Sequence, residues 1–595
     1  MNKNSADKFI LGINAYHGDS SACIIHDGKM IAGIEEERFT RIKHWAGFPS
    51  KAIEYCLHEA GIRPDQIDHV AFSRDPMAQI HKKLWFTLMK HPSPGFILDR
   101  LHNLSRFRRG KSDISSRLGM KPGMLKAQVH NIEHHLSHSS SAFFVSPFDE
   151  AAVVSIDAFG DFRSTMISKG NGNKLDLVSS VNFPHSLGLL YTAITQYLGF
   201  PYYGDEYKVM GLASYGKPAY IEEFRQMIKP HPGGEFRLNL DYFLHATSGV
   251  KMTWDNCSPE IGVAYSPYLE QRLGPARRPG EEITQKHKDL ASSLQKRLEE
   301  IYFHVLNYAH DATGQKKLAL AGGVAFNSVA NGKIYDNTGF DEVYIQSAAG
   351  DAGTALGSAM YVQNNILKQP RKFVMTSSYW GPSYDDNIIK AALEKHKLKY
   401  SELPEDHLMS YTAEALSQGK IVGWFQGRVE WGPRALGNRS ILCDPRREEM
   451  KSILNERIKR REDFRPFAPS ILLEATDDYF EKSYADPFML KVYPIKEDKR
   501  RVIPAVTHID GTGRLQTVNK DDNPKYWRLI KAFQKITGVP VLLNTSFNDN
   551  EPIVCTPEEA IQCFLRANMD LLVISNYVVY PESYYNDLEK PDTSK

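Results

Sequence analysis

Short apolar blocks punctuated by turn residues fill the first part of the chain. They predict strands at residues 9–14, 22–25 and 30–35. The turn YHGDSS follows the first, and Asp27-Gly28, lying between apolar runs, is a strong hairpin signal. Residues 49–60 read as a helix. The design recurs later, where strands at 152–157, 164–168 and 175–181 are separated by the turns AFGDFR and GNGN. Two hairpins, each with an acidic, glycine-containing turn after its first strand, predict a duplicated unit. A long amphipathic helix over 284–310 leads into a strand at 317–321 and the loop GGVAFN, and a strand at 342–346 enters SAAGDAGTALGSA. After Met360 the pattern dissolves, which places a junction near residue 370 and a first domain over 1–370. Helices at 386–395 and 411–419 and a strand at 421–425 then open a second α/β unit over 371–595. The stretches 81–121 and 238–282 have no clean period and read as cap insertions.

Composition narrows the class. A chain of 595 residues has room for two or more domains, and 42% hydrophobic with 24% charged residues is ordinary for a soluble enzyme. Six cysteines (Cys23, Cys56, Cys257, Cys443, Cys555, Cys563) lack CxxC spacing, which predicts reduced thiols in a cytoplasmic protein. No window approaches the roughly 18 apolar residues of a membrane span, and the N-terminal apolar run is too short for a signal peptide. No membrane partner is expected. The segment 81–121 carries ten Lys/Arg against two Asp with aromatics interleaved. Charge alone allows nucleic acid, but no recognition motif accompanies it and the net charge is only +2, so nucleic acid is not expected either. The segment reads as a solvated helical insertion or as a cap over the substrate cleft.

The chemistry concentrates in a few places. His134 and His138 are four apart, hence on one face of a helix, and Asp157 closes an apolar strand nearby. Two imidazoles and a carboxylate suit a divalent ion, although a bare HxxxH more often marks two hydrogen-bonded core histidines. Gly322, Gly323 and Asn327, and Gly350, Asp351, Gly353 and Thr354, lie in two loops that follow strands and open helices. Backbone amides there suit a nucleotide, and Asp351 adds a metal ligand. In the second unit Arg428, Arg434, Arg439, Lys459, Arg465, Arg514, Ser546 and Asn548 sit on glycine- and proline-set loops, which predicts an oxyanion site.

Ten motifs in order, HGDSSA, EEERFTR, HHLSHSSSAF, SIDAFGD, GDEYKVMGLASYG, GGVAFN, GDAGTALG, GPRALGNRSI, FRPFAPS and LNTSFN, resemble the O-carbamoyltransferases of the nodulation-protein and antibiotic-tailoring type. The resemblance implies an α/β protein of two domains. The first is a duplicated actin-like ATPase domain, similar to the tRNA threonylcarbamoyladenosine transferase; the second is a YrdC-like α/β domain. It implies an enzyme of the carboxyl- and carbamoyltransferase class. Carbamoyl phosphate and ATP (with Mg2+) would give a carbamoyl-adenylate in the second domain. The first would pass the carbamoyl group to a hydroxyl of a sugar or natural product and release AMP. By the same resemblance His134, His138, Asp157 and Asp351 match metal ligands, with Fe2+ the ion of the family. His17 matches a histidine of the transfer site, and Arg434, Lys459, Arg465, Arg514 and Ser546 match the adenylating site. Ala158 stands where a glycine is expected.

His17 is the first choice for the base that takes the acceptor proton, with Asp19, Asp161 and Asp205 behind it and Lys43 as a positioning group. Three rivals remain at this level: a sugar kinase-like phosphotransferase, a chaperone-like ATPase and a tRNA-modifying transferase. Two histidine ligands and an arginine-rich second domain speak against the first two. Acceptor and oligomeric state stay open, a homodimer included.

Overall fold

A computed structural model of the chain describes residues 8–90, 110–117, 125–246, 250, 252–253, 257–482 and 484–581. The chain forms two compact units, Met1–Met375 and Thr376–Lys595. Much of the 81–121 segment, and the tip of the 238–282 stretch, lie outside the described residues.

The first unit is built on two five-stranded sheets. One has the order β3-β2-β1-β4-β5, with β1 Phe9–Asn14, β2 Ser21–His26, β3 Lys29–Glu35, β4 His69–Phe72 and β5 Gln128–Asn131. The other involves β6 Glu150–Gly160, β7 Arg163–Asn171 and β8 Lys174–Asn182. Between them and the rest of that sheet come two short ribbons, β9 Ile228–His231 with β10 Glu235–Leu238, and β11 Met252–Thr253 with β12 Glu260–Ile261. With β13 Lys317–Ala321 and β14 Glu342–Tyr344 the second sheet has the order β14-β13-β6-β7-β8. In each sheet three antiparallel strands continue into two parallel ones, so directions and order repeat.

Two details correct the sequence expectation. The strand expected to end at Asp157 runs on to Gly160, but its pairing with β7 is regular only to Ile156 and resumes at Gly160 opposite Arg163. Asp157 therefore sits at a bulge inside a long strand, and bulges re-aim side chains. The turn that follows is tight, with Asp161 and Phe162 at φ 49° and 75°.

Helices His134–Phe143 and Thr354–Met360 pack backbone to backbone, and glycine permits it. A Cβ on Gly357 would lie 1.8 Å from the Ser137 carbonyl oxygen, and one on Gly12 of β1 would lie 2.0 Å from that of Ala355. Neither neighbour is a flexible side chain. Gly12→Ala is expected to lower unfolding free energy by about 3 kcal/mol, at the upper end for overpacking; chemical denaturation reads this directly.

The second unit carries one nine-stranded mixed sheet, order β15-β23-β22-β16-β17-β21-β18-β20-β19. Its strands are β15 Tyr400–Glu402, β16 Val422–Phe425, β17 Arg439–Cys443, β18 Ala468–Leu472, β19 Lys491–Pro494, β20 Thr512–Val518, β21 Val541–Ser546, β22 Leu571–Ile574 and β23 Tyr577–Val579. Parallel pairs occur at β16·β22 and β18·β20. The helix expected from 411 begins at Glu405, after Pro404, with Glu405 and Asp406 in its first turn where carboxylates favour the helix dipole.

Candidate functional site

Four donors converge between the two sheets of the first unit. Helix His134–Phe143 is capped by the Glu133 carboxylate, which accepts from Leu136 N–H, and by Asp161, which accepts from His134 N–H at 2.9 Å. This fixes the first turn, and the i, i+4 spacing then brings His134 Nε2 and His138 Nε2 to 3.0 Å. The bulge delivers Asp157 Oδ2 at 3.2 Å from His134 Nε2 and 3.0 Å from His138 Nε2. Its other oxygen is held by the N–H groups of Ala158 (2.8 Å) and Gly323 (3.2 Å). Asp351 completes the set, with Oδ1 at 3.5 Å and 3.3 Å from the same two nitrogens.

All four side chains are buried, and their donor atoms form a compact group. Donors about 2.1 Å from one divalent ion lie about 3.0–3.4 Å apart, which is the spacing found here. Asp351 Oδ1 is buried without a hydrogen-bond partner. Two ring nitrogens in contact and an orphaned carboxylate oxygen are costly with protons alone. The residues fit a divalent metal.

The electrostatics agree. Burial opposes charge on His138, but Asp157 and Asp351 raise its pKa to about 9. Burial likewise opposes ionisation of Asp157, and bonds to His134 and His138 outweigh it, holding that carboxyl well below the usual range. Burial and the neighbouring His138 push His134 down. His135 turns away and meets Ser155 Oγ at 2.9 Å.

Around this set the expected residues divide by task. His17 belongs to it: its Nδ1 is 2.5 Å from Asp351 Oδ2, and its ring lies 5.4 Å from that of His134. Asp351 thus offers one oxygen to the metal position and the other to His17. Gly322, at φ 93°, lets β13 turn against Ile156, whose carbonyl oxygen would be 2.2 Å from a Cβ there. Gly323 and Gly353 also have no room for one, and a Cβ on Gly350 would press on the Phe326 ring at 2.6 Å. Thr354 Oγ1 donates to the Asp351 carbonyl at 2.6 Å, bracing the turn.

Two residues have other employment, and a third lies outside the set. Asn327 exchanges two hydrogen bonds with Gln295 and caps the helix Ser328–Asn331, so its amide is spent on structure. Asp161 is buried and accepts from the backbone N–H of Asp75 and His134, which is positioning work. Lys43 lies exposed on the loop after helix Glu37–Thr40, outside the buried set. Sequence reasoning missed Gly160, where a Cβ would fall 1.9 Å from His134 Cδ2; no local signal distinguishes that glycine.

The second unit gathers cations. Arg514 on β20 has a buried Nε with no hydrogen-bond partner, and burial, then Arg434 and Arg461 beside it, press its pKa down. Three guanidinium groups crowded together favour an anion. The loop presenting Arg434 is organised by Glu430, whose Oε1 accepts from the N–H groups of Leu436 (2.8 Å), Asn438 (2.8 Å) and Arg439 (3.2 Å). Glu430 and Arg461 were not anticipated. Lys459 joins Ser546 and Asn548 but commits its ammonium to them, at 2.6 Å from Ser546 O and 2.7 Å from both Asn548 oxygens. Arg428 bonds to the Gly381 and Trp380 carbonyls, and buried Arg439 to those of Gln426, Gly427 and Asn438. Arg465 pairs with Glu462 at 2.7 Å.

A buried His2Asp2 set in one unit and an arginine cluster in the other now meet the comparison with known sequences. Residues 9–360 match the carbamoyltransferase N-terminus and residues 413–580 the carbamoyltransferase C-terminus. The chain belongs to the carbamoyltransferase family. It is 39% identical to the nodulation protein NolNO of Sinorhizobium fredii, over 95% of this chain and 79% of that protein. It is 41% identical to the nodulation protein NolO of Bradyrhizobium diazoefficiens, over 75% and 78%. An uncharacterized protein of Synechocystis, sll1178, is 40% identical over 96% of both chains. As a member of this family the chain is a transferase. Among the described residues no helix is long and apolar enough to cross a membrane.

Proposed function

We propose that this carbamoyltransferase acts on a hydroxyl acceptor through a carbamoyl-adenylate, with adenylation in the second unit and transfer in the first. The first unit is read as an actin-like ATPase-type domain and the second as a YrdC-like domain. The observation that carries the reading is the buried His134/His138/Asp157/Asp351 set, which a sugar kinase or a chaperone ATPase does not need.

In the second unit Arg434, Arg461 and Arg514 bind the phosphate groups of carbamoyl phosphate and ATP. Water releases phosphate from carbamoyl phosphate, and a carbamate oxygen then attacks the α-phosphorus of ATP. An O–P bond forms and pyrophosphate leaves. Glu430 keeps the Arg434 loop in shape, and Lys459 holds the 546–548 loop in register.

In the first unit the acceptor oxygen attacks the carbamoyl carbon, the C–O bond to the phosphate breaks and AMP leaves. His17, held through Nδ1 by Asp351, takes the hydroxyl proton. A divalent ion, Fe2+ by family resemblance, would be held by His134, His138, Asp157 and Asp351 and supply Lewis acidity to the departing phosphate. Glycine at 322, 323, 350 and 353 shapes the turns beside this set, and the N–H groups of Gly322, Gly323 and Gly353 are taken by the Ala349 carbonyl, Asp157 and the Gly350 carbonyl. The acceptor is a sugar or natural product.

A panel of sugars and polyols incubated with the protein, ATP, Mg2+ and carbamoyl phosphate, anaerobically with Fe2+, is expected to yield a carbamate ester by mass spectrometry. His17→Ala should reduce ester formation by about 10²–10⁴-fold, the range of general base catalysis, while pyrophosphate release continues. Ester formation at the wild-type rate, or loss of pyrophosphate release, would remove His17 from this role.

A further inference from the structure

Asn544 on β21 is made into a lone acceptor by its neighbours. Its Nδ2 donates to the Ala435 carbonyl at 3.1 Å and to Gln516 Oε1 at 2.8 Å. Gln516 is fixed in turn: its Nε2 donates to the Leu436 carbonyl at 2.8 Å, and Ser470 Oγ donates to its oxygen. Backbone carbonyls only accept, so neither amide can be reversed. Asn544 is 1% exposed, and among the described residues its Oδ1 has no hydrogen-bond partner. A buried amide oxygen in that state is costly unless something donates to it.

The surroundings are rich in donors. Ala435 and Leu436 directly follow Arg434, so the two amides grip the loop that presents this arginine. Arg514 lies two residues before Gln516 on β20 and hence on the same face of the sheet. Between β20 and β21, strand β18 offers that face only Ala468 and Ser470, both small. A ligand seated here must bring oxygens to guanidinium groups and one N–H to Asn544. Inorganic phosphate and acetyl phosphate bring oxygens alone. Carbamoyl phosphate brings both, with its amino group and its phosphorus joined through one carbon and one oxygen. The adenine amino group of ATP is a donor too, but ribose and base separate it from the phosphates.

We propose that Asn544 Oδ1 accepts a hydrogen bond from the amino group of carbamoyl phosphate and makes the second unit select carbamoyl over acetyl donors. The proposal rests on the adenylating reading of that unit. Carbamate keeps the amino group, so the contact persists while its oxygen attacks ATP, and no proton passes to the asparagine. A site that hydrogen-bonds an N–H rejects the analogue lacking it, because its own polar atom is then left buried and unpaired. Acetyl phosphate is that analogue, with methyl in place of amino.

The test follows ATP-dependent pyrophosphate release with carbamoyl phosphate and with acetyl phosphate, in the wild type and in Asn544→Leu. The wild type should prefer carbamoyl phosphate by about 10⁴-fold in kcat/KM. In the leucine variant the preference should shrink to about a hundredfold or less, as expected of an apolar pocket facing near-isosteres. Melting temperature and binding of inorganic pyrophosphate check that the variant is folded with its arginines in place. If the variant does not fold, the wild-type ratio decides alone. Equal use of acetyl phosphate by the wild type, or an unchanged preference in a folded variant, overturns the proposal and leaves the adenylating reading standing. Loss in the variant of selectivity for ATP over ITP, with the carbamoyl preference intact, gives the oxygen to the adenine amino group and also overturns it. Absence of carbamoyl phosphate-dependent pyrophosphate in the wild type removes the adenylating reading, and this proposal with it.

Discussion

Asp351→Asn should abolish carbamoyl transfer while sparing the adenylating half-reaction. The carboxylate serves two partners, with Oδ1 in the metal set and Oδ2 on His17 Nδ1. An amide oxygen is a weaker ligand, and its NH2 group cannot accept the proton His17 offers. Changes in outer-shell partners cost about 10–100-fold in metal affinity, and loss of a ligand itself should exceed that. Metal content after dialysis against a graded chelator should fall by more than about a hundredfold, and ester formation by about a thousandfold. Pyrophosphate release should stay within a few-fold of wild type. A variant that keeps its metal and transfers normally would remove Asp351 from the site.

Glu430→Ala should produce the second large effect, in the other unit. One buried carboxylate oxygen accepts three backbone N–H groups, and alanine leaves all three without a partner. At about 1–3 kcal/mol for each buried unsatisfied donor, the expected loss is about 3–9 kcal/mol, visible as a large shift in denaturation midpoint. Glu430→Gln keeps an acceptor oxygen in place and should recover most of that stability. Because the loop presents Arg434, the alanine variant should also lose carbamoyl phosphate-dependent pyrophosphate release, even under conditions where it is folded. Full activity in a destabilised alanine variant would mean that the loop does not set the anion site.

Much of the first unit was legible because its signals are local. Turn residues at Asp27-Gly28 and apolar blocks at 9–14 and 317–321 fix strands within a few residues of sequence, and helical spacing alone puts His134 over His138. Motif order then carried the family. What sequence could not supply were long-range partners. Asn327 has the composition of a ligand-binding loop residue, yet Gln295 claims its amide. Arg428 shares a loop with Arg434, yet its guanidinium is spent on carbonyls. The sequence ends the strand at Asp157 because the glycine-containing, acidic stretch AFGDFR after it reads as a turn. The bulge that aims this carboxylate at two histidines depends on register with β7. Glu430 and Gly160 are invisible for the same reason: one matters through three amides of a folded loop, the other through a ring packed against its Cα. Spacing shows which face a side chain shares. It does not show what has already claimed it.

The most direct test of the central claim follows ATP by phosphorus NMR in the presence of the protein, Mg2+ and carbamoyl phosphate. The account predicts pyrophosphate whose appearance requires carbamoyl phosphate and disappears in Arg514→Ala. ADP and phosphate in place of pyrophosphate would contradict it and return the chain to phosphotransfer.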